Sequence, residues 1–401
     1  MIADRGLRIA GWKSVALGEL VEPAQTWNPV RSPSDEAFDY IDLSAVDQDA
    51  KLITGAREVS CGEAPSRARQ LVARGDVLVS TVRPNLNGVA RVPDQLDGAT
   101  ASTGFCVLRA RESKFDGGYL FYWVKSPTFV ADMVNKATGA SYPAVSDRII
   151  FDSRIPLPPL AEQRRIAEML DRAEALRAKR RAALAQLDFL TQSLFLDLFG
   201  DPIANPKRWP DPSLGGLLTF QQYGPRFFNE SYSVDGIRIV RITDLDEAGF
   251  LDFSAMPRLT VSDEDRKKYS LRPGDLIFAR TGATVGKVAL MQPNDPPCIA
   301  GAYFITMRFE KTLDPLYARA VLTAPSVRAI VARQSRQAAQ QNFSGPSLRR
   351  LPMPLPPIEL QREFAHRVTA VEKLKTAQRA SLAELDALFA TLRHRAFRGE
   401  L

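Results

Sequence analysis

The run Pro156-Leu157-Pro158-Pro159-Leu160-Ala161-Glu162-Gln163-Arg164 returns 198 residues later as Pro354-Leu355-Pro356-Pro357-Ile358-Glu359-Leu360-Gln361-Arg362. Self-similarity at a fixed offset takes precedence over local patterns, because a missed repeat distorts every later assignment. The offset persists outward from this run. Upstream, Tyr119 matches Tyr317 and Pro127 matches Pro325; downstream, Leu187-Asp188 matches Leu385-Asp386 and Leu194 matches Leu392. Further out, Arg74-Gly75-Asp76-Val77-Leu78 answers Pro273-Gly274-Asp275-Leu276-Ile277 at 199 residues, and Trp12 near Leu17-Gly18 answers Trp209 near Leu214-Gly215 at 197. A period near 200 is too long for a solenoid, so the 401-residue chain is a tandem duplication.

Each copy follows one plan. Short β-rich runs broken by Gly, Pro and Asn come first: Phe38 to Val46, Asp76 to Thr81 and Phe105 to Arg109, answered by Ile237 to Ile242, Asp275 to Arg280 and Ala302 to Phe309. A helical segment follows in each, Tyr119 to Lys136 and Leu316 to Gln334, and then the Pro-rich boundary and a long helical pattern. The expected domains are therefore residues 1–155 and 201–352, each trailed by a long helix, 156–200 and 353–401.

The long patterns are heptads. With Ile166 at position a, Ala173, Arg180, Leu187 and Leu194 also fall at a, and Met169, Leu176, Ala183, Leu190 and Asp197 at d. In the second copy Phe364, Val371, Gln378, Leu385 and Leu392 take a, and Leu374 and Leu388 take d. Leu170, Leu184, Leu198, Val368, Leu382 and Phe389 widen the stripe at e. Prolines stand just before each run and none within it, as a helix start requires. A helix of roughly 40 residues is about 60 Å long and cannot bury such a stripe alone. The natural partner is the other copy. Antiparallel pairing puts Ile166, Leu176, Leu187 and Leu194 against Phe364, Leu374, Leu385 and Leu392, with Arg180 and Gln378 near the midpoint. The alternative is a helix packed on its own module.

Composition narrows the function classes without choosing one. The chain is 45% hydrophobic and 25% charged, an ordinary globular balance. Its net charge of +7 points weakly to nucleic acid, because the surplus is local. Residues 1–155 carry 18 basic and 19 acidic groups, whereas residues 201–352 carry 20 and 15. No apolar run approaches the about 18 residues of a membrane span, and Met1 to Lys13 lacks a signal core. A cytoplasmic protein is expected, with Cys61, Cys106 and Cys298 too scattered for disulfides or a metal cluster.

Two related modules joined by an antiparallel helix pair suit DNA, whose backbone has local two-fold symmetry and whose symmetric readers meet it at half-sites. Modules that have diverged should read different half-sites, at a distance set by stiff helices. Here the sequence resembles a known family. The boundary runs at 156–164 and 354–362, the Leu198-Phe199-Gly200-Asp201-Pro202 junction with Asn205-Pro206 and Trp209, the run at 274–282 and the terminal Phe397-Arg398-Gly399-Glu400-Leu401 are similar to specificity subunits of type I restriction–modification systems. The resemblance spans essentially the whole chain in the expected order. It implies an α+β protein with two tandem, pseudo-two-fold-related target-recognition domains separated by two long antiparallel coiled-coil helices. It further implies binding of a split asymmetric site on double-stranded DNA, docking of two methyltransferase (modification) subunits and a restriction subunit, and no catalysis by this chain. No cofactor is then expected here; S-adenosylmethionine and ATP belong to the partner subunits.

Candidate contacts follow from residue chemistry. The loop after each Gly-Asp strand offers Thr81, Arg83, Asn85 and Asn87 in the first copy, and Arg280, Thr281, Thr284 and Lys287 in the second. Arg and Asn read base edges, while Lys and Thr more often hold phosphates. The first copy has Ser80-Thr81-Val82-Arg83 where the second has Ala279-Arg280-Thr281-Gly282, so its arginine is displaced. A second cluster precedes the Pro-rich boundary: Thr138, Ser141 and Tyr142, then Arg336, Gln337, Gln340, Gln341 and Asn342. A third is Tyr223 and Arg226, with Asn229. The plain alternative for each is a solvated turn.

Enzymatic readings lack their parts. Gly282 to Lys287 has too short a spacing for a phosphate loop, and Val288 stands where Ser or Thr belongs. Asp295-Pro296-Pro297-Cys298 lacks the aromatic with which amino-methyltransferases hold a flipped base, and reads instead as a loop entering a strand. His366 and His394 share one helix. The competing functions are a polypeptide with its own methyltransferase or nuclease activity and a coiled-coil scaffold.

Overall fold

The computed structural model describes residues 11–139, 141–226, 232–245, 249–335 and 342–401. The chain divides into two compact units. One comprises residues 1–182 with 380–401, and the other residues 183–379. Each unit thus contains one module and parts of both long helices, Leu160–Phe199 and Ile358–Ala396.

In the first unit Val77–Ser80 is the centre of an antiparallel sheet, flanked by Val89–Arg91 and Phe105–Ala110, with Val21–Glu22 beyond. The second unit repeats it: Leu276–Ala279 lies between Val288–Leu290 and Phe304–Phe309, with Leu218–Tyr223 beyond. A second sheet accompanies each. In both it contains one parallel pair, Ala37–Ile41 with Thr100–Ser102 and Ile237–Val240 with Cys298–Ala300.

The central strands are apolar on both faces because each face has its own cover. Val77 and Val79 join the core beneath the helices, whereas Leu78 faces the core of the second sheet. Leu276 and Phe278 divide from Ile277 and Ala279 in the same way. The period of two is intact, although both faces are greasy. The three cysteines are buried and unpaired, and burial pushes the Cys298 thiol up to about 12, which makes it inert.

The residues that mark the repeat are structural latches. Gly75 and Gly274 turn with φ of 83° and 88°, where a Cβ is disfavoured. The following Asp76 and Asp275 are buried and take bidentate bonds from Arg109 (2.9 and 2.7 Å) and Arg308 (2.6 and 2.8 Å). Gln163 donates from Nε2 to the Pro158 carbonyl (2.8 Å), and its Oε1 accepts from the Asp116 N–H (2.9 Å). Gln361 repeats this with Pro356 and Asp314, both at 2.8 Å. Tyr119 and Tyr317 donate to the carbonyls of Pro156 (2.8 Å) and Pro354 (2.7 Å). Together these bonds clamp the start of each long helix to its module.

The expected single helices after the strands are split by proline. Gly117–Val124 and Pro127–Lys136 form the first pair, and Pro315–Thr323 and Pro325–Ser335 the second. Ser126 caps the new start, accepting from the Phe129 N–H at 3.2 Å.

Within each unit the long helices pack antiparallel. In the second unit Asp188 meets Lys375 at 2.7 Å, and about two to three turns away Phe195 meets Phe364, with ring centroids 5.7 Å apart. In the first unit Arg177 binds Asp386 at 2.6 Å and lies over the Phe389 ring. The seam differs from the expected one. It follows positions a and e: Ile166, Leu170 and Ala173 are buried in one unit, Phe364, Val368 and Lys375 in the other. Leu187, Leu194, Leu385 and Leu392 are half-buried along it, as are Arg180 and Gln378. The d residues Leu176 and Leu374, expected at the interface, are instead 53% and 55% exposed. The reason is that Phe389 at e packs on Tyr122 of one module helix, and Phe195, next to the a residue Leu194, on Tyr317 of another, which turns d outward.

Replacing Gln361 by Leu strands the Asp314 N–H and two carbonyls in a dry site. We expect a loss of about 1–3 kcal/mol in the stability of the second unit, read as a lower urea midpoint of its transition. An unchanged midpoint would remove the latch from the architecture.

Candidate nucleic-acid interface

The strand ends Ser80 and Ala279 both feed hairpin loops that carry a 3-10 turn, Pro84–Leu86 and Gly282–Thr284. In the first loop Arg83 and Asn87 adopt left-handed φ of 51° and 47°, conformations that few non-glycine residues hold without support. The support comes from the second predicted cluster. The Arg83 N–H donates to the Pro143 carbonyl at 2.7 Å, and Ala144 pairs with both Val82 and Thr138. This juxtaposition seats the Arg83 guanidinium over the Tyr142 ring, 4.8 Å from its centroid. Arg83, Asn85, Thr138, Ser141 and Tyr142 are all exposed there. Asn87 is half-buried, and its carbonyl accepts from the Lys51 ammonium at 2.5 Å. Thr81 is buried, with both its N–H and its hydroxyl donating to the Gly104 carbonyl at 2.9 Å, a turn-holding role.

The second loop reaches the same result by different bonds. Arg280 donates its N–H to the Tyr303 carbonyl (2.9 Å), and its carbonyl accepts from the Phe343 N–H (2.7 Å). Thr281 pairs with Asn342. The Arg280 guanidinium lies 4.7 Å from the centroid of Tyr223, whose hydroxyl accepts from the Gly345 N–H at 2.7 Å. Each loop therefore offers an arginine stacked on a tyrosine. The displaced Arg83 is placed like Arg280, although its ring comes from another part of the chain.

Three polar atoms of the second loop, Arg280 Nε, Thr281 Oγ1 and Asn342 Oδ1, are buried without a hydrogen-bond partner. Such groups are costly, and they concentrate at sites that complete their bonding with a ligand. Thr284 keeps its hydroxyl for the Thr281 carbonyl (3.4 Å), and Arg226 is exposed beyond the end of the Tyr223 strand. Lys287 turns to a cavity beside the long helices. Arg336, Gln337, Gln340, Gln341 and Asn229 lie outside the described residues. Sequence reasoning missed Tyr303, 56% exposed beside Arg280; an isolated aromatic in a turn between two apolar strands was the available signal. Among the described residues, no three His, Cys, Asp or Glu side chains gather as a metal site.

The family profile of the type I restriction modification DNA specificity domain matches the chain twice, over residues 10–186 and 206–386. The chain belongs to this family, whose members are specificity subunits of type I restriction–modification systems and recognise the DNA target. It is similar to the EcoBI specificity subunit of Escherichia coli, with 24% identity over 329 residues, 74% of this chain and 68% of the relative. The MjaVIII specificity subunit of Methanocaldococcus jannaschii is 22% identical over 299 residues, 70% of this chain and 69% of that one. A solved structure from work on assembly and conformational transition of the type I system aligns at TM-score 0.58 and 28% identity, covering 97% of this chain and 98% of the other. The S subunit from M. genitalium shares the fold, with TM-score 0.60 at 12% identity and 98% of each chain covered.

Arg280→Ala is expected to weaken or relax recognition of one half-site by about 1–3 kcal/mol, leaving the other half-site as selective as before. Competition binding on duplexes altered in one half at a time measures this. Equal loss at both halves would contradict a modular interface.

Proposed function

We propose that the two modules read the two unlike halves of a bipartite DNA site, and that the arginine–tyrosine stacks at their loop tips are among the reading groups. The carrying observation is the recurrence of this stack in two loops of unrelated sequence, Arg83 on Tyr142 and Arg280 on Tyr223. Stacking on a ring restricts the guanidinium plane, and a guanidinium held in place is well suited to the paired acceptors on a guanine edge. The surplus basic charge of residues 201–352 supports phosphate contact by the second module.

Catalysis belongs, in this reading, to partner subunits that carry S-adenosylmethionine and ATP. The exposed leucines support two copies of one methyltransferase partner. Leu176 and Leu374 stand 198 residues apart with exposures of 53% and 55%, and Leu190 and Leu388 repeat that spacing at 50% each. Apolar residues presented twice in the same way suit one surface used twice. Leu176→Asp is expected to lower partner stoichiometry from two to one, and Leu176→Asp with Leu374→Asp to abolish assembly, as read by native mass spectrometry. Two bound partners on the double variant would remove these leucines from the docking surface.

The spacing between half-sites is set, we infer, by the length of the paired long helices. Four residues inserted between Ala182 and Ala183 add about 6 Å of helix, so the preferred spacer should lengthen while both half-sites persist. Selection from random-spacer duplexes tests it, and an unaltered spacer would show that another element measures the distance.

A further inference from the structure

The two units build the same turn and furnish it differently. Ala279 pairs with Phe304 in the second unit as Ser80 pairs with Phe105 in the first. One residue further, the Arg280 N–H donates to the Tyr303 carbonyl and the Thr81 N–H to the Gly104 carbonyl, both at 2.9 Å. Tyr303 therefore stands where the first unit has Gly104, at an offset of 199 residues. In the first unit Leu43 fills the space beside that position: a Cβ on Gly104 would lie 2.9 Å from the Leu43 Cδ1. The second unit puts an aromatic side chain there instead, and Tyr303 is 56% exposed.

The backbone does the structural work at this turn, and the ring does none of it. The Gly301 N–H donates to the Val240 carbonyl, the Phe304 N–H to the Gly301 carbonyl and the Gly224 N–H to the Phe304 carbonyl, all at 3.1 Å. Gly224 packs so closely on the turn that a Cβ would fall 2.0 Å from the Gly301 carbonyl oxygen. The turn is pinned from both neighbouring strands. Among the described residues, no hydrogen bond or ring contact holds the Tyr303 side chain. A tyrosine on a fixed backbone offers a large contact area at low entropic cost. Its neighbours are Arg280 on one side and, on the other, the end of the strand that carries Tyr223, where Tyr223 pairs with Ile305. We propose that Tyr303 is a specificity-determining residue of the second module, whose ring packs on a base edge at a base pair next to the one that Arg280 contacts. The first module makes no such contact from Gly104. An uncharged ring gains most against apolar edge atoms such as the thymine methyl, and such contacts carry sequence information that phosphate contacts lack. This assignment rests on the proposed reading of DNA by the loop tips and adds a contact to it.

Selection by the full chain with its methyltransferase partners, from duplexes randomised in one half-site at a time, tests the proposal. Tyr303→Ala should reduce the preference at one base pair of one half-site about fivefold or more and leave the other half-site as selective as before. Tyr303→Phe keeps the ring and should select as the unsubstituted chain does. Misfolding would weaken every position of the half-site together, so relaxation at a single base pair separates a lost contact from a lost fold. Uniform weakening, loss shared by both half-sites, an unaltered Tyr303→Ala profile, or a Tyr303→Phe profile as flat as that of Tyr303→Ala would overturn the proposal. Where Arg280→Ala still relaxes its half-site, only the assignment of Tyr303 falls; where neither variant alters selection, the reading by this loop falls with it.

Discussion

The reciprocal ion pair between the long helices is the contact on which the rest depends. Arg177 meets Asp386 in one unit, and Lys375 meets Asp188 in the other. Each cation and each acid is the other's counterpart at an offset of 198 residues. The adjoining acids follow the same rule, Glu174 beside Arg177 and Glu372 beside Lys375, both at 2.8 Å. Such reciprocity arises when each unit borrows part of the other copy's helix, so the duplication is a structural requirement. Ion pairs held among half-buried layers add specificity of register more than raw stability.

The residues that make the family recognisable are therefore those that build the frame. Gln163, Gln361, Asp76 and Asp275 are buried and spend their polar atoms on backbone or on a bidentate arginine. A buried amide that satisfies two carbonyls and an N–H tolerates no substitute of other chemistry. The loops proposed to read DNA are under no such constraint. Arg83 and Arg280 reach similar ring-stacked positions through different backbone bonds and different tyrosines. Binding residues are disproportionately carried on loops that a rigid scaffold positions, and this frame with its dissimilar loops has that form.

Periodicity located the helices and the strands, because spacing of apolar residues is a local property of the chain. It misjudged the seam. Leucines at d looked as suitable as those at e, and only the module helices, with Tyr122 against Phe389 and Tyr317 against Phe195, decided which face turned inward. The structure brings the candidate residues of each loop together, but not all of them face outward. Thr81 holds a turn, and Lys287 lines a cavity, because hydrogen bonding and facing depend on neighbours distant in sequence.

What the amino-acid order determined by itself is the duplication, the module plan and the two long helices. Repeats and periodic patterns are written along one dimension and survive without coordinates. Tertiary structure alone decided that Arg83 and Tyr142 meet across 59 residues, and that Lys125 is buried over two rings whereas Thr323, 198 residues on, lines a cavity. Both depend on which side chains converge in space, and convergence is settled by packing against partners that no local pattern specifies.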